Sequence, residues 1–467
     1  MRAMVPILLA ACGEVQTVEG DPPGHDPTGI TLSATFIQEQ ADPGTLIGTF
    51  TTDDLDADDT HTYELIQDAS GAFAISGDAL LVAPGGVLDF EAGAMRPITV
   101  RSTDRDGRHF DKEIAISIGD VREVVNLNDS GPGSLRQTLA DAAPGETILF
   151  ANGLTGQIIL FATLTINKAV TLRGPLDRSI ALDGRNSVQI IIVTASTTAT
   201  LANLHLTKGQ NAISNVGTLT LVNSLIENST ALGTAGRGGA IANIGKLVVV
   251  DSTFRTNTGF NGGAIAADGA ETTILASTFD TNTTSGNSGG AIVGGPMSII
   301  NCTFSGNSAI GGNAVGGAVG VFSGDNVIAF SSFVGNNGGV AGGGVFVGTA
   351  AIKVEIRSSL FLNSGPAGSV DISSSTAMNA SDNLLSNGAG SGLTNGVDNN
   401  LLDVLLAVQP LGANGGNTPT HLPTVGAVDH VPTARCLNLA GSPLLVDQRG
   451  SPRPIAARCD AGSVETP

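Results

Sequence analysis

The stretch DSTFRTNTGFNGGAIAADGAETTILASTFDTNTTSGNSGGAIVGGPMSIINCTFSGNSA, residues 251–309, repeats one pattern in three successive versions. Phe254, Phe279 and Phe304 are each followed three positions later by an asparagine: Asn257, Asn282 and Asn307. Outward from there the pattern continues at Phe333/Asn336 and, with leucine in place of the ring, at Leu225/Asn228 and Leu360/Asn363. The spacings are 29, 25, 25, 29 and 27. A second pattern, two glycines and then small apolar residues, keeps step with it at Gly238, Gly262, Gly289, Gly316 and Gly342. A period of about 26 residues holding only short strands is what one coil of a parallel β-helix requires. Coils would stack at about 4.8 Å, so equivalent side chains form ladders: phenylalanines inside, asparagines at a turn. The glycines supply left-handed backbone and close approach. About ten coils fit into residues 125–405, a rod on the order of 50 Å long.

Composition agrees. The 467 residues include 63 Gly, no Trp, one Tyr and only 14% charged residues, which suits short strands joined by tight turns and disfavours helical bundles. The net charge is −20, and residues 21–123 hold 20 Asp+Glu against 6 Lys+Arg, a net of −14. Such a surface repels phosphate backbones, and no basic cluster exists to contact them, so nucleic acid is excluded as a partner. Concentrated carboxylates point instead to divalent cations.

An open β-helix end exposes strand edges and calls for a cap. Ser134-Leu135-Arg136-Gln137 reads as a capping box with Leu135 and Leu139 on one face, so residues 134–142 are the expected capping helix before the strands TILF and GQIIL. The segment DSGPGSLRQTLADAAPGETILF, with the GGAI and FxxN repeats, resembles surface β-helix proteins such as the bacterial polymorphic outer-membrane proteins. The expected fold class is all-β: a small sandwich followed by a right-handed parallel β-helix with an N-terminal capping helix.

Residues 1–12 read MRAMVPILLAAC, one positive charge and a short apolar run ending in Leu9-Ala10-Ala11-Cys12. This resembles the lipobox of bacterial lipoproteins, which implies an exported chain with a diacylglycerol on Cys12 anchoring it to a membrane. Residues 13–29, rich in Gly, Pro and acids, read as a flexible tether. No later stretch has ~20 uninterrupted apolar residues.

In residues 30–121, alternating runs such as TYELI, FAIS and DKEIAISI are separated by Asp- and Gly-rich turns, predicting a Greek-key sandwich. GTLIGTF, DADDTHTYELI, GAFAISGDALLVAPGGVLDFE and ITVRSTDRDG follow the order of cadherin repeats, which this segment resembles. The resemblance implies calcium ligands at Glu39, at Asp89 and Glu91 of LDFE, at Asp56 and Asp58 of the DAD turn, at Asp104 and at Asp120. Calcium takes six to eight oxygens, which carboxylates from several loops supply. Two departures stand out: only one repeat is present, and Arg122 and Glu123 follow Asp120-Val121 where the family has Asn and Asp.

Toward the end, LGANGGNTPTHLP, AGSPLLVDQRGSPRP and CDAGSVE in residues 411–465 resemble the closing segment of choice-of-anchor Q domain proteins, which are secreted β-helices held by differing anchors. Residues 406–467 form that segment. With Cys12 lipidated, Cys436 and Cys459 are the expected disulfide in an oxidising compartment. Cys302, two residues before Phe304, should be a free thiol in the core.

Enzymes with this fold need convergent carboxylates and bases on one outer face. Arg255 and Asp280 hold the same repeat position on successive coils and read as a surface ion pair. Asp251, Asp268, Asp325 and Lys353 fall at unrelated positions. The six histidines, His25, His61, His109, His205, His421 and His430, show no metal-ligand spacing. The expectation is therefore a lipid-anchored surface adhesin or binding scaffold, calcium-assisted, whose partner is a cell-surface protein or polysaccharide, and not an enzyme. The alternative is a polysaccharide lyase or hydrolase working on the outer β-helix face.

Overall fold

Strand pairing follows the alternation of the sequence in both parts of the chain. The computed structural model describes residues 24–56, 59–231, 236–269, 271–286, 288–362 and 370–466. Cys12, Asp58 and Asn363 lie outside the described residues, as do residues 1–12 and most of the expected tether. The chain divides into Met1–Val121 and Arg122–Pro467.

The first unit is a β-sandwich. One sheet orders Gly29–Leu32, Leu46–Asp53, Ala79–Val82 and Phe73–Ser76; the other orders Phe36–Gln38, His109–Gly119, Met95–Thr103 and Thr62–Asp68. The pairs are antiparallel except that Phe36–Gln38 runs parallel to His109–Gly119. Side chains from both sheets, Ile30, Phe50, Leu80, Ile98 and Ile116 among them, close on one core.

The second unit is a right-handed parallel β-solenoid of about ten coils. Among the described residues its faces are parallel sheets of 11, 10 and 9 strands, and a short sheet of four strands begins at Thr230–Ala231. The predicted phenylalanine stack is inside: Phe254, Phe279, Phe304, Phe333 and Phe361 lie 4.8, 4.9, 4.7 and 4.6 Å apart, with planes 2–7° from parallel. Offset ring pairs at such distances add about 0.5–1.5 kcal/mol each beyond burial.

The register corrects both ends of the repeat as read from sequence. Phe254 pairs with Ile226, and Leu225 pairs with Thr253. Phe333 pairs with Phe361, and Leu360 pairs with Ser332. At both ends two adjacent apolar residues compete for one inward position, and a slip of one residue exchanges the faces. Consequently Ser229, not Asn228, continues the asparagine ladder: its amide donates to Asn257 Oδ1 at 3.1 Å. Asn228 has left-handed backbone, φ 55°, and sits in the turn.

The ladder itself is buried and saturated. The Asn282 side-chain amide donates to the Phe254 carbonyl at 3.0 Å and to Asn307 Oδ1 at 2.9 Å, while Asn282 Oδ1 accepts from the backbone and side chain of Asn257. Asn257 and Asn307 repeat the scheme on their own neighbours. A parallel row of serines runs along another corner. Ser224, Ser252, Ser331 and Ser359 each donate Oγ–H to the carbonyl two residues back, and their Oγ atoms accept amides from the preceding coil. Cys302 occupies this row. It is fully buried and free, its Sγ–H donates to the Ile300 carbonyl at 3.1 Å, and burial pushes the thiol up to about 12.

The glycine pairs divide their labour. Gly238, Gly262, Gly289, Gly316 and Gly342 have φ between 52° and 69°, and at the following Gly263 and Gly290 a Cβ would meet a carbonyl oxygen at 2.0 and 1.9 Å. One glycine makes the bend and the next admits the neighbouring coil.

The capping helix is Leu135–Asp141, with Ser134 Oγ accepting the Gln137 amide. The box closes from one side only, because the Gln137 side chain bonds Asp141 instead of reaching back. Arg255 and Asp280 are register partners with an ion pair at 3.2 Å. Asp325 and Lys353 also face each other across one register step, where unrelated positions were expected; the irregularity after Gly324 hid the alignment.

Residues 406–466 fold back along the outside of the ten-stranded sheet. Gln448 donates to Thr278 and Thr418 and accepts from Thr303, and Ser463 donates its amide to Ser332 Oγ. Arg453 is 2% exposed; it pairs with Glu465 at 3.0 Å, donates to Asn301 and lies 4.8 Å over the Phe330 ring. His421 donates Nδ1–H to the Gln409 carbonyl and accepts at Nε2 from Ser305, and burial lowers its pKa. A disulfide joins Cys436 and Cys459. Leu360 and Leu384, outward on the sheet, are buried under this segment.

Asn282→Ala should destabilise the solenoid by about 2–3 kcal/mol, because it strands buried amide and carbonyl partners above and below; a denaturant midpoint unchanged from wild type would contradict the ladder's role. For Cys302 the sign follows from its raised pKa. Above pH ~8.5 an unfolded thiol ionises and the folded one does not, so this group's contribution to stability falls as pH rises from there toward 12. Native protein at pH 9 should leave Cys302 unlabelled by a thiol reagent over hours, with labelling appearing only in denaturant.

Candidate metal centre

Glu39 follows the strand Phe36–Gln38, and its backbone amide bonds the Gly119 carbonyl, so the carboxyl turns in beneath the loop that carries Asp89 and Glu91. Glu39 is 2% exposed, and its two oxygens accept the amides of Phe90 at 2.8 Å and Val121 at 2.9 Å. Each of those oxygens keeps a second lone pair. One oxygen each from Glu39, Asp89 and Glu91 lies within 4.8 Å of the others. Asp89 is held by the Ala92 amide and Glu91 is exposed.

This crowding shows in the protonation of Glu91. A backbone hydrogen bond draws its pKa down, but desolvation and the charges of Glu39, Asp120 and Asp89 outweigh it, so the carboxyl is raised above the ordinary value. Three hard oxygen donors, with Asp120 near enough to be felt, match the ligand chemistry of calcium, and a dication would relieve the repulsion. Glu39, Asp89 and Glu91 would hold it, and the ion would supply rigidity where the loops meet.

Of the other residues named from sequence, Asp56 and Asp104 are elsewhere. Asp104 follows the strand Met95–Thr103, whose other end, at Met95, pairs with Ser117 near Asp120. Nine residues of strand separate the two ends by roughly 30 Å. Asp104 Oδ1 accepts the Arg108 amide, its Oδ2 lies 3.9 Å from Arg108 Nη1 without a hydrogen bond among the described residues, and Asp56 pairs with His25. Asp56 and Asp104 thus stand apart from Glu39, Asp89 and Glu91.

The Asp56 end holds a group that sequence reading missed. Asp54, Asp59 and His61 bring ligand atoms within 4.8 Å of one another, with His61 Nε2 3.0 Å from Asp54 Oδ2. A hydrogen bond from the Asp56 amide and then the His61 side chain hold Asp54 below the usual carboxylate range. The run DDLDADDTH carried the signal: an imidazole two positions after an acid, in a tight turn. Read singly, His61 looked isolated.

No family model and no curated protein matches the chain. Among solved structures, the N-cadherin EC1-3 of Drosophila is similar to it at 17% identity over 23% of this chain and 40% of that one, with a TM-score of 0.19. The protocadherin gammaB4 extracellular domain is similar at 24% identity over 23% of this chain and 20% of that one, with a TM-score of 0.17. The chain therefore spans less than half the length of either.

With calcium at about 100 times its dissociation constant, the sandwich should gain about 2.7 kcal/mol in stability. Paired Asp89→Asn and Glu91→Gln substitutions should abolish the gain. Identical melting in calcium and in chelator would rule the site out.

Proposed function

We propose that this chain is an exported, lipid-anchored surface protein in which a calcium-supported sandwich carries a β-solenoid that binds cell-surface protein or polysaccharide. The observation that carries the reading is the convergence of Glu39, Asp89 and Glu91 in the sandwich. The anchor rests on the Leu9-Ala10-Ala11-Cys12 sequence. The solenoid supports a scaffold reading through its construction. Its coils are locked by saturated ladders, so the outer faces are rigid rows of side chains at fixed spacing, and a rigid surface loses little entropy on binding.

Incubating the full chain with a panel of polysaccharides and with intact bacterial envelopes, in calcium and in chelator, tests this directly. Retention that falls when calcium is removed, with no new reducing ends or unsaturated products, is the expected result. Release of products would replace the scaffold with an enzyme.

A further inference from the structure

Near the end of the solenoid a groove forms that no single stretch of sequence announces. Its floor is the outer side of the 11-stranded sheet, where Arg357 and Ser381 are register partners and Glu355 stands two residues before Arg357. Residues 392–398, including Leu393 and Val397, make one wall, and residues 435–441 of the C-terminal segment, including Leu439, make the other. Two cavities of about 400 and about 260 Å³ adjoin at Glu355 and Ser381, which line both. Each is near the lower end of the size of ligand sites.

Its polar groups are fixed as acceptor–donor pairs. Arg357 donates to Glu355 at 2.9 Å and to the Leu437 carbonyl at 2.9 Å, so both side chains are held in place. Arg435 pairs with Asp382 Oδ1 at 2.9 Å, and Asn399 donates to the same oxygen at 2.8 Å. Asp382 is 1% exposed, and its Oδ2 accepts no hydrogen bond among the described residues. That buried oxygen beside Arg435 is an unused acceptor, and a buried acceptor left unmet is the exception in folded proteins.

We propose that this groove binds a neutral oligosaccharide, with Glu355 and Asp382 accepting from its hydroxyls and Arg357 and Arg435 donating to them. This rests on the scaffold reading for its biological setting and on its own residues for its chemistry. A hydroxyl both donates and accepts, so neighbouring hydroxyls match carboxylate–guanidinium pairs, whereas an ionised carboxylate or sulfate has no proton to donate to Glu355, Asp382 or Asp398 and would engage only Arg357 and Arg435, each already paired with a carboxylate. Three carboxylates against two guanidiniums leave the groove negative in a chain of net charge −20, which disfavours polyanions. The half-exposed Val397 and Leu439 offer aliphatic walls to the C–H faces of sugar rings.

The test is calorimetric titration of the full chain, in chelator, with hexasaccharides of glucan, mannan, xylan and chitin, and with polygalacturonate. Chelator keeps the result independent of the metal centre. At least one neutral hexasaccharide should bind with Kd of about 1 mM or tighter. Glu355→Gln should weaken it about tenfold and Leu439→Ala severalfold, and Ser214→Ala, on the outer face of the nine-stranded sheet, should leave it unchanged. The proposal is overturned if no neutral sugar binds, if polygalacturonate binds more tightly, or if Glu355→Gln binds like wild type. Sugar binding accompanied by product release would overturn the scaffold reading while leaving the groove to be judged by the Glu355 variant.

Discussion

The solenoid depends on one constraint: a polar group turned inward must find its partner on the coil above or below, because no water is there to serve. Asn257, Asn282 and Asn307 meet it with both ends of the amide, each oxygen accepting from one coil while each NH₂ donates to a carbonyl and to the next oxygen. The scheme works only when equivalent residues lie directly over one another. Coil length varies between 20 and 29 residues in the strand register, but the variation has to be absorbed outside the ladder positions. Phenylalanine stacking adds apolar contact in the same direction and enforces the same registration.

From sequence, the repeat was legible because a coil imposes its period on every ladder at once. The exact residue was legible only where the two faces differ in polarity. In STFRTN the ring lies between threonine and arginine, and the inward position is unambiguous. In SSLFLN three apolar residues stand together, because Leu360 is outward on the sheet yet covered by the C-terminal segment, and alternation then says nothing. Leu225 and Ile226 present the same degeneracy at the other end. The missing information was tertiary: a segment about 100 residues away turns an outside face into an inside one.

The sites divide in the same way. Glu39, Asp89 and Glu91 were reachable through the likeness of their motifs, since each motif has a recognisable local spelling. Asp104 and Asp56 shared that spelling but stand at the far end of the sandwich, a matter of strand direction that a list of acids does not encode. The groove had no spelling, because Glu355, Asp382, Val397 and Leu439 come from four segments brought together only by coil stacking and by the return of the C-terminal segment.

That returning segment touches strands at Thr278, Thr303, Ser332, Leu360 and Leu384, one on each of five successive coils, and it is closed on itself by the Cys436–Cys459 bond. It therefore acts as a splint. A stacked array normally frays one unit at a time, each held only by its neighbours. Here the last five coils cannot part individually, since separating any two stretches a brace that crosses both. Under tension, unravelling would proceed through the earlier coils and halt at the braced block, which places the mechanical weak point of this unit before Asp251, the earliest residue the segment bonds, and leaves the groove in its most durable part.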